Sequence, residues 1–250
     1  MEVYTHRGIG LGPENTHAAM RAAVAMGLHL EVDVNTTLDA AVILHDKKLN
    51  RTTNGKGSIR RKRYSEIQGL SAGVAYEHPH DVQEIPLAED VLLRYGPHAK
   101  IDLDLKARTG RQMLNFVKEH NMLDTVLFTS TDLATVKAVK DNEPSATVGF
   151  IAERYSPKHV PKLAALGFDY IAPWVDITSE DLIKQSEDHG MKVLPWFNGA
   201  QLLWTPQMDE AVERMASYNV SGIIVNHPHE VLAKVGIQPA AISIYPQHAA

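Results

Sequence analysis

Charged side chains fall in this chain where buried strands usually carry only apolar ones. Glu31 and Asp33 stand two apart in the run Leu28–Val34, and Asp102, Asp104 and Lys106 are spaced the same way along Ile101–Leu105 and the residue after it. Residues two apart on a strand share a face. Neighbouring strands lie about 4.8 Å apart, so Glu31, Asp33 and Asp104 can converge. Clustered carboxylates repel and raise one another's pKa unless a cation neutralises them. An all-oxygen ligand set selects a hard cation, Mg²⁺ or Ca²⁺. A structural ion-pair cluster with Lys106 and an arginine is the competing reading, since such clusters also bury acids.

Two histidines stand at the ends of apolar runs. His6-Arg7 follows Val3-Tyr4-Thr5, and His45-Asp46 follows Ala41-Val42-Ile43-Leu44. Imidazole titrates near neutral pH, so a histidine pair beside carboxylates suits general acid/base catalysis. Arg7, Lys106 and a divalent cation describe an anion site, and the planar fork of Arg7 suits phosphate. The residue types therefore point to metal-assisted phosphoryl chemistry with His6 and His45.

The elements that position these residues follow from periodicity. Apolar runs beginning near residues 3, 29, 100, 126, 146, 168, 191 and 222 read as eight strands. Helical patterns lie between them: Glu14–Met26, Leu87–Arg94, Thr109–Asn121 and Asp132–Lys140. Further helices open at Ser156-Pro157, at Thr178 and at Thr205-Pro206. Strands alternating with such helices imply βαβ units and a parallel sheet. The predicted fold class is α/β, a (β/α)8 TIM barrel in which residues 47–99 form an irregular insertion between the second and third barrel strands. Barrel active sites lie at the carboxyl ends of the strands, where the charged residues fall. An open doubly wound sheet is disfavoured, because no glycine-rich turn after the first strand opens a helix on phosphates.

Composition narrows the function classes. The chain has 250 residues, 44% of them hydrophobic and 22% charged, as in an ordinary globular protein. One domain, residues 1–250, is expected. The absence of cysteine excludes disulfides, thiolate metal sites and cysteine nucleophiles. A net charge of -5 argues against general nucleic-acid binding. No apolar run is long enough for a transmembrane segment, and Met1-Glu2-Val3-Tyr4 does not open a signal peptide. The expectation is a soluble, cytoplasmic protein.

A series of motifs then resembles the glycerophosphodiester phosphodiesterases, barrel enzymes related in chemistry to bacterial phosphatidylinositol-specific phospholipase C. The matching residues run in order: His6-Arg7-Gly8, Pro13-Glu14-Asn15-Thr16, Glu31-Val32-Asp33-Val34, His45-Asp46, and Leu49 to Gly55. They continue with Ile85-Pro86-Leu87, Asp104-Leu105-Lys106, Trp196 and Gly222–Val225. The resemblance implies His6 and His45 as the catalytic acid/base pair and Glu31, Asp33 and Asp104 as ligands of one divalent cation, Mg²⁺ or Ca²⁺. It implies Arg7, Lys106 and Trp196 as substrate contacts. The implied reaction hydrolyses a small-molecule glycerophosphodiester to glycerol 3-phosphate and an alcohol. A lysophospholipase-D-like reaction, a lyase stopping at the cyclic phosphate, and a non-catalytic phosphodiester-binding module are the alternatives. The polar insertion favours water-soluble substrates, and the presence of every catalytic residue disfavours the binding module.

The chain departs from the family pattern at three places. Asp104 stands where glutamate is usual and is shorter by one methylene, about 1.5 Å. Asn226-His227-Pro228 replaces an aspartate-containing end of the last strand, and Phe197-Asn198 follows Trp196 with tighter spacing. The shorter Asp104 implies either a larger ion or an intervening water. Other features read as bland. The His78-Pro79-His80 and His227-Pro228-His229 patterns read as solvated loops rather than zinc sites. Arg60-Arg61-Lys62-Arg63 reads as a solvated turn. Trp174 and Trp204 are candidate pocket walls or rim aromatics, and the tail after Pro239 is unassigned.

Overall fold

The computed structural model describes residues 1–73, 83–154, 156, 158–197 and 204–236. The chain begins with β1 (Glu2–His6), α1 (His17–Ala25), β2 (His29–Thr36) and β3 (Ala41–Ile43). There follow α2 (Ala88–Tyr95), β4 (Ile101–Leu105), α3 (Gly110–Glu119), β5 (Val126–Ser130), α4 (Leu133–Asn142) and β6 (Thr147–Ala152). The remainder is α5 (His159–Ala165), β7 (Tyr170–Pro173), α6 (Glu180–Asp188), β8 (Lys192–Val193), α7 (Pro206–Ser217), β9 (Gly222–Val225) and α8 (Pro228–Val235). Every strand except β3 pairs in parallel, in the order β8-β7-β6-β5-β4-β2-β1-β9. The ring closes through a parallel bridge from Trp196 to Ile224 and the hydrogen bonds Ile224 N to Pro195 O (2.8 Å) and Phe197 N to Ile224 O (3.1 Å). The predicted eight-stranded barrel is therefore observed, with a helix after each parallel strand.

Each strand alternates two environments. Leu30, Val32 and Val34 of β2 and Ile101, Leu103 and Leu105 of β4 join the main core against the helices. The alternating residues face inward. Tyr4, Leu127, Tyr170, Leu194 and Ile224 form a separate apolar cluster with Trp196 packed on it. The inward residues nearer the carboxyl ends are polar: His6, Glu31, Asp33, Asp102, Asp104 and Thr129 are all buried. An apolar plug thus closes one end of the barrel, and the acids occupy the other. The strand pairing sets Glu31 beside Asp102, Asp33 beside Asp104, and His6 beside Glu31.

Element boundaries depart from the sequence reading where side chains compete for the backbone. The first helix starts at His17 rather than Glu14, because Asn15 adopts φ 59° and Thr16 becomes the N-cap. The helix expected to open at Thr178 is capped by Ser179, whose hydroxyl accepts from Leu182 N (3.2 Å). Thr178 instead donates its hydroxyl to Trp174 O, closing a short 3-10 turn. The expected strand Met191–Phe197 is regular only at Lys192–Val193. Leu194 N and Trp196 N still donate to Ile171 O and Pro173 O (both 3.0 Å), but Pro173 has no N–H to return a bond to Leu194, so regular pairing with β7 stops there and a bridge resumes at Trp196. The helix expected from Ser156-Pro157 begins at His159 with Lys158 at the N-cap position; Pro157 lies outside the described residues. The last helix, α8, was not anticipated. His227 takes its N-cap position and Pro228 its first turn, as proline's fixed φ favours.

The insertion has a core of its own. Leu49, Ile59, Ile67, Ala72 and Ile85 are buried against Val42 and Leu44. β3 pairs antiparallel with the end of β2 and so anchors this region to the barrel mouth. Among the described residues, no helix is long and apolar enough to cross a membrane.

Candidate active site

The site is assembled by the turn after β1. Arg7 and Gly8 both hold left-handed backbone, φ 58° and 71°. A side chain on Gly8 would place its Cβ 2.6 Å from Ala19 Cβ, so the close approach of this turn to α1 requires glycine. The turn directs Arg7 inward. Its amide donates to the Glu31 carboxylate (3.1 Å) and to the Glu31 main-chain oxygen (3.0 Å). Its guanidinium lies 2.9 Å from Asp33 and 3.5 Å from Glu14.

Glu31, Asp33 and Asp104 come together as the register requires. One carboxylate oxygen from each lies within 4.8 Å of the other two, and all three residues are buried. Asp104 therefore reaches the cluster despite its shorter side chain. Lys106 Nζ touches Asp104 and stands 3.2 Å from Asp33 Oδ1. Asn15 Nδ2 donates to Asp33 Oδ2 at 2.7 Å. Asp33 carries the cations: burial alone would push its carboxyl up, but Arg7 and Lys106 hold it well below the usual carboxylate range. Burial and the neighbouring Asp33 raise Glu31, and burial pushes Asp104 up to about 6. Asp102, beside Glu31, accepts the Thr129 hydroxyl at 2.6 Å, and burial raises it well above its ordinary value.

The competing ion-pair reading is thus partly visible, since Arg7 and Lys106 both engage the cluster. Two cations nonetheless face the three carboxylates of the cluster and Asp102 besides. Asp104 Oδ1 is buried without a hydrogen-bond donor, and Asp33 Oδ1 has only the Lys106 ammonium, 3.2 Å away. Hard oxygen donors gathered this closely fit a divalent cation, which would favour their ionised forms. Glu31 and Asp104 line a cavity of about 100 Å³, whereas Asp33 lies behind them, out of contact with that space.

The histidines flank this cavity in different settings. His6 is buried, and its Nδ1 lies 2.7 Å from Asn226 Oδ1. A carboxamide oxygen only accepts, so Nδ1 carries the proton and Nε2 presents its lone pair on the side of Glu31, 4.0 Å away. Burial, with Arg7 close by, pushes the His6 imidazolium down to about 4. His45 is half-buried, and its Nδ1 contacts Asp46 Oδ1 at 2.7 Å. Asp46 is held in turn by the Arg51 guanidinium at 2.8 and 3.0 Å, and Arg51 also binds Glu14. Trp196 lines the cavity with its ring centroid 6.3 Å from that of His6, and Trp174 stacks on it at 6.0 Å. Trp204 packs edge-on to His227 and does not line the cavity.

All eight residues singled out from the sequence, His6, Arg7, Glu31, Asp33, His45, Asp104, Lys106 and Trp196, fall in this one region. Three supporting residues were missed. Asn15 and Arg51 lie inside the Pro13–Thr16 and Leu49–Gly55 motifs, whose residues carry no evident chemistry in sequence, and Asn226 stands at the departure from the family pattern that ends the last strand. Asparagine after Pro-Glu and asparagine at a strand end are weak signals. The Arg60–Arg63 run does not stay together as a solvated turn. Arg60 bonds Asn35 and the Lys106 carbonyl, while Lys62 and Arg63 pair with Glu66 and Asp39. His78 and His80 lie outside the described residues.

Acids, histidines and two cations gathered at the strand ends of an eight-stranded parallel barrel place the chain among the barrel proteins whose site lies at the carboxyl face of the strands. Residues 6–230 match the model of the glycerophosphoryl diester phosphodiesterase family. The chain belongs to that family and is a phosphoric diester hydrolase. It is 26% identical over 244 residues to the glycerophosphodiester phosphodiesterase of Caldanaerobacter subterraneus subsp. tengcongensis, covering 92% of this chain and 96% of that one. The crystal structure of a glycerophosphodiester phosphodiesterase from Agrobacterium tumefaciens superposes with a TM-score of 0.79 at 21% identity, covering 93% and 99% of the two chains. A phosphodiesterase of Oleispira antarctica, solved in complex with the product sn-glycerol-3-phosphate, superposes with a TM-score of 0.78 at 20% identity, covering 94% and 97%.

Proposed function

We propose that this chain, acting as a single catalytic domain, hydrolyses water-soluble glycerophosphodiesters to glycerol 3-phosphate and an alcohol, with His6 and His45 as the acid/base pair. The observation that carries this reading is the convergence of carboxylate oxygens from Glu31, Asp33 and Asp104, within 4.8 Å of one another, where Glu31 and Asp104 line a cavity flanked by both histidines. Glu31, Asp33 and Asp104 would hold one divalent cation, Mg²⁺ or Ca²⁺. When bound, that ion supplies charge stabilisation to the phosphoryl oxygens and lowers the pKa of a coordinated hydroxyl.

The residues divide the proton work by their hydrogen bonds. With Nδ1 committed to Asn226, His6 offers Nε2 as the base that takes the proton of the glycerol hydroxyl as its oxygen attacks phosphorus. His45, oriented by Asp46, carries a proton to the leaving alcohol, whose bond to phosphorus breaks. Water then opens the resulting cyclic phosphate with the two roles exchanged, and both histidines return to their starting states. Arg7 and Lys106 bind the non-bridging phosphate oxygens and neutralise their charge. Trp196 and Ile224 wall the small cavity beside His6, a space suited to the three-carbon glycerol end.

Release of glycerol 3-phosphate from glycerophosphocholine, glycerophosphoethanolamine, glycerophosphoglycerol and glycerophosphoinositol tests this directly. Turnover with Mg²⁺ or Ca²⁺ and its loss in EDTA are expected. Unchanged turnover in excess EDTA would remove the cation, and no release from any of the four would remove the function.

A further inference from the structure

The small catalytic cavity adjoins a larger one. The second cavity, of about 670 Å³, shares His45, Lys106 and Thr131 with the first. Its walls come from the loops after β3, β4 and β5. They carry Lys47, Lys48, Arg60 and Arg108 in addition to Lys106. Among the described residues, Lys47, Lys48 and Arg108 have no carboxylate partner within ion-pair distance, unlike the Lys62, Arg63, Lys118, Lys137, Lys140 and Lys234 side chains elsewhere. Only two acids line this space, and both are already engaged. Asp46 binds Arg51 and His45, and Asp132 caps α4 through Ala134 N and the Thr135 hydroxyl. A chain of net charge -5 therefore concentrates uncompensated positive charge at one place, beside the histidine that faces the leaving group.

We infer that this cationic cleft is the leaving-group subsite, and that the preferred substrates are glycerophosphodiesters whose alcohol carries a second phosphate. This rests on the hydrolase reading above and names its substrate class. The order of the two spaces fixes the direction. The cavity beside His6, about 100 Å³, suits the smaller glycerol end, the adjoining cleft, about 670 Å³, suits the larger alcohol, and His45 lines both, which places the alcohol that His45 protonates in the cleft. An anionic group there meets Lys47, Lys48 and Arg108, while a choline group meets like charge. A terminal phosphomonoester and an internal phosphodiester offer the same oxygens to these side chains.

Two matched pairs test the inference and separate those sources: glycerophosphoinositol against its 4-phosphate, and glycerophosphoglycerol against bis(glycerophospho)glycerol. At low ionic strength the phosphorylated member of at least one pair should show kcat/KM about tenfold higher, equal to about 1.4 kcal/mol. Preference in the first pair alone assigns a phosphomonoester, and in the second alone a diester. The preference should fall as KCl approaches the concentration at which charges are screened within about 8–10 Å. The triple variant Lys47→Glu/Lys48→Glu/Arg108→Glu should reduce it to about twofold or less, and Arg61→Glu, exposed outside the cleft, should keep it. If the triple variant melts early, Lys48→Glu and the salt titration of the unaltered enzyme give the same readout. Equal turnover of both members, or a preference insensitive to salt and to the variants, overturns the subsite and leaves the hydrolase standing. No turnover of any member overturns both.

Discussion

Arg7 occupies a left-handed conformation, φ 58°, which costs an L-residue about 1–2 kcal/mol. The surrounding contacts hold it there: its amide on Glu31, its guanidinium on Asp33, and Asn15 N on its carbonyl at 2.7 Å. Arg7→Lys keeps the charge but loses the planar fork, so kcat/KM should drop about tenfold or more; an unaltered value would remove Arg7 from phosphate binding. His6→Ala and His45→Ala should each lower kcat by about 10²-fold or more, since each deletes a proton-transfer group. Near-normal turnover in either variant would show that its histidine is neither acid nor base. Asp46 ties pH to stability at the same edge of the site. Arg51 holds its carboxyl down to about 2, below the reference value of 3.8. A carboxyl with a lowered folded-state pKa stabilises the protein above its unfolded pKa and loses that contribution as pH falls through the folded value. The urea midpoint should therefore fall between about pH 4 and pH 2 less steeply in Asp46→Asn than in the unaltered protein. Parallel profiles would show that the pair contributes nothing.

The turn from β1 into α1 is the element that couples the backbone to the site. Gly8 touches Ala19 on α1, and an added Cβ at Gly10 would meet Asn226 O at 2.4 Å. One short segment thus sets Arg7 against the acids and limits the position of the residue that orients His6. Gly8→Ala should destabilise the protein by at least about 1 kcal/mol through its positive φ alone and should lower kcat as Arg7 shifts. A melting temperature and kcat both equal to those of the unaltered enzyme would contradict this. Thr16 closes the other side of the turn, accepting from Ala19 N at 3.4 Å and donating to Pro13 O at 2.7 Å. The strand and helix types were readable here because period-two and helical patterns are local. The starting residue of α1 was not, because it depends on the side-chain bonds of Asn15 to Asp33, a partner eighteen positions away.

Across the whole molecule, the barrel confines four inward-facing acids, Glu31, Asp33, Asp102 and Asp104, above an apolar plug. Their mutual repulsion is only partly relieved by Arg7 and Lys106, so a bound cation should stabilise the fold itself. At a hundredfold excess over Kd, a ligand specific to the folded state adds about 2.7 kcal/mol. Mg²⁺ or Ca²⁺ added to EDTA-treated protein should raise the melting temperature by several degrees, and Asp104→Asn should diminish that shift while Asp104→Glu retains it. An identical shift in Asp104→Asn would exclude Asp104 as a ligand.

The sequence alone determined the barrel and picked out the acids, histidines and cations as candidates for the site, because these are written in local pattern, whereas Trp196 was a candidate only through the family resemblance. Acids two apart in otherwise apolar runs can only face the barrel interior together, and His6 and His45 end their runs where that interior opens. Tertiary structure decided what depends on distant partners. It paired His6 with Asn226, 220 positions away, and so gave the two histidines different hydrogen-bond settings. It brought Arg7 and Lys106 onto Asp33, leaving Glu31 and Asp104 facing the cavity. It turned Arg60 toward Asn35 and Lys106 and gathered Lys47, Lys48 and Arg108 around one cleft. Charge on a loop residue is visible in a sequence, but the direction in which it points is set by closure of the barrel, which joins loops separated by tens of residues at a single rim.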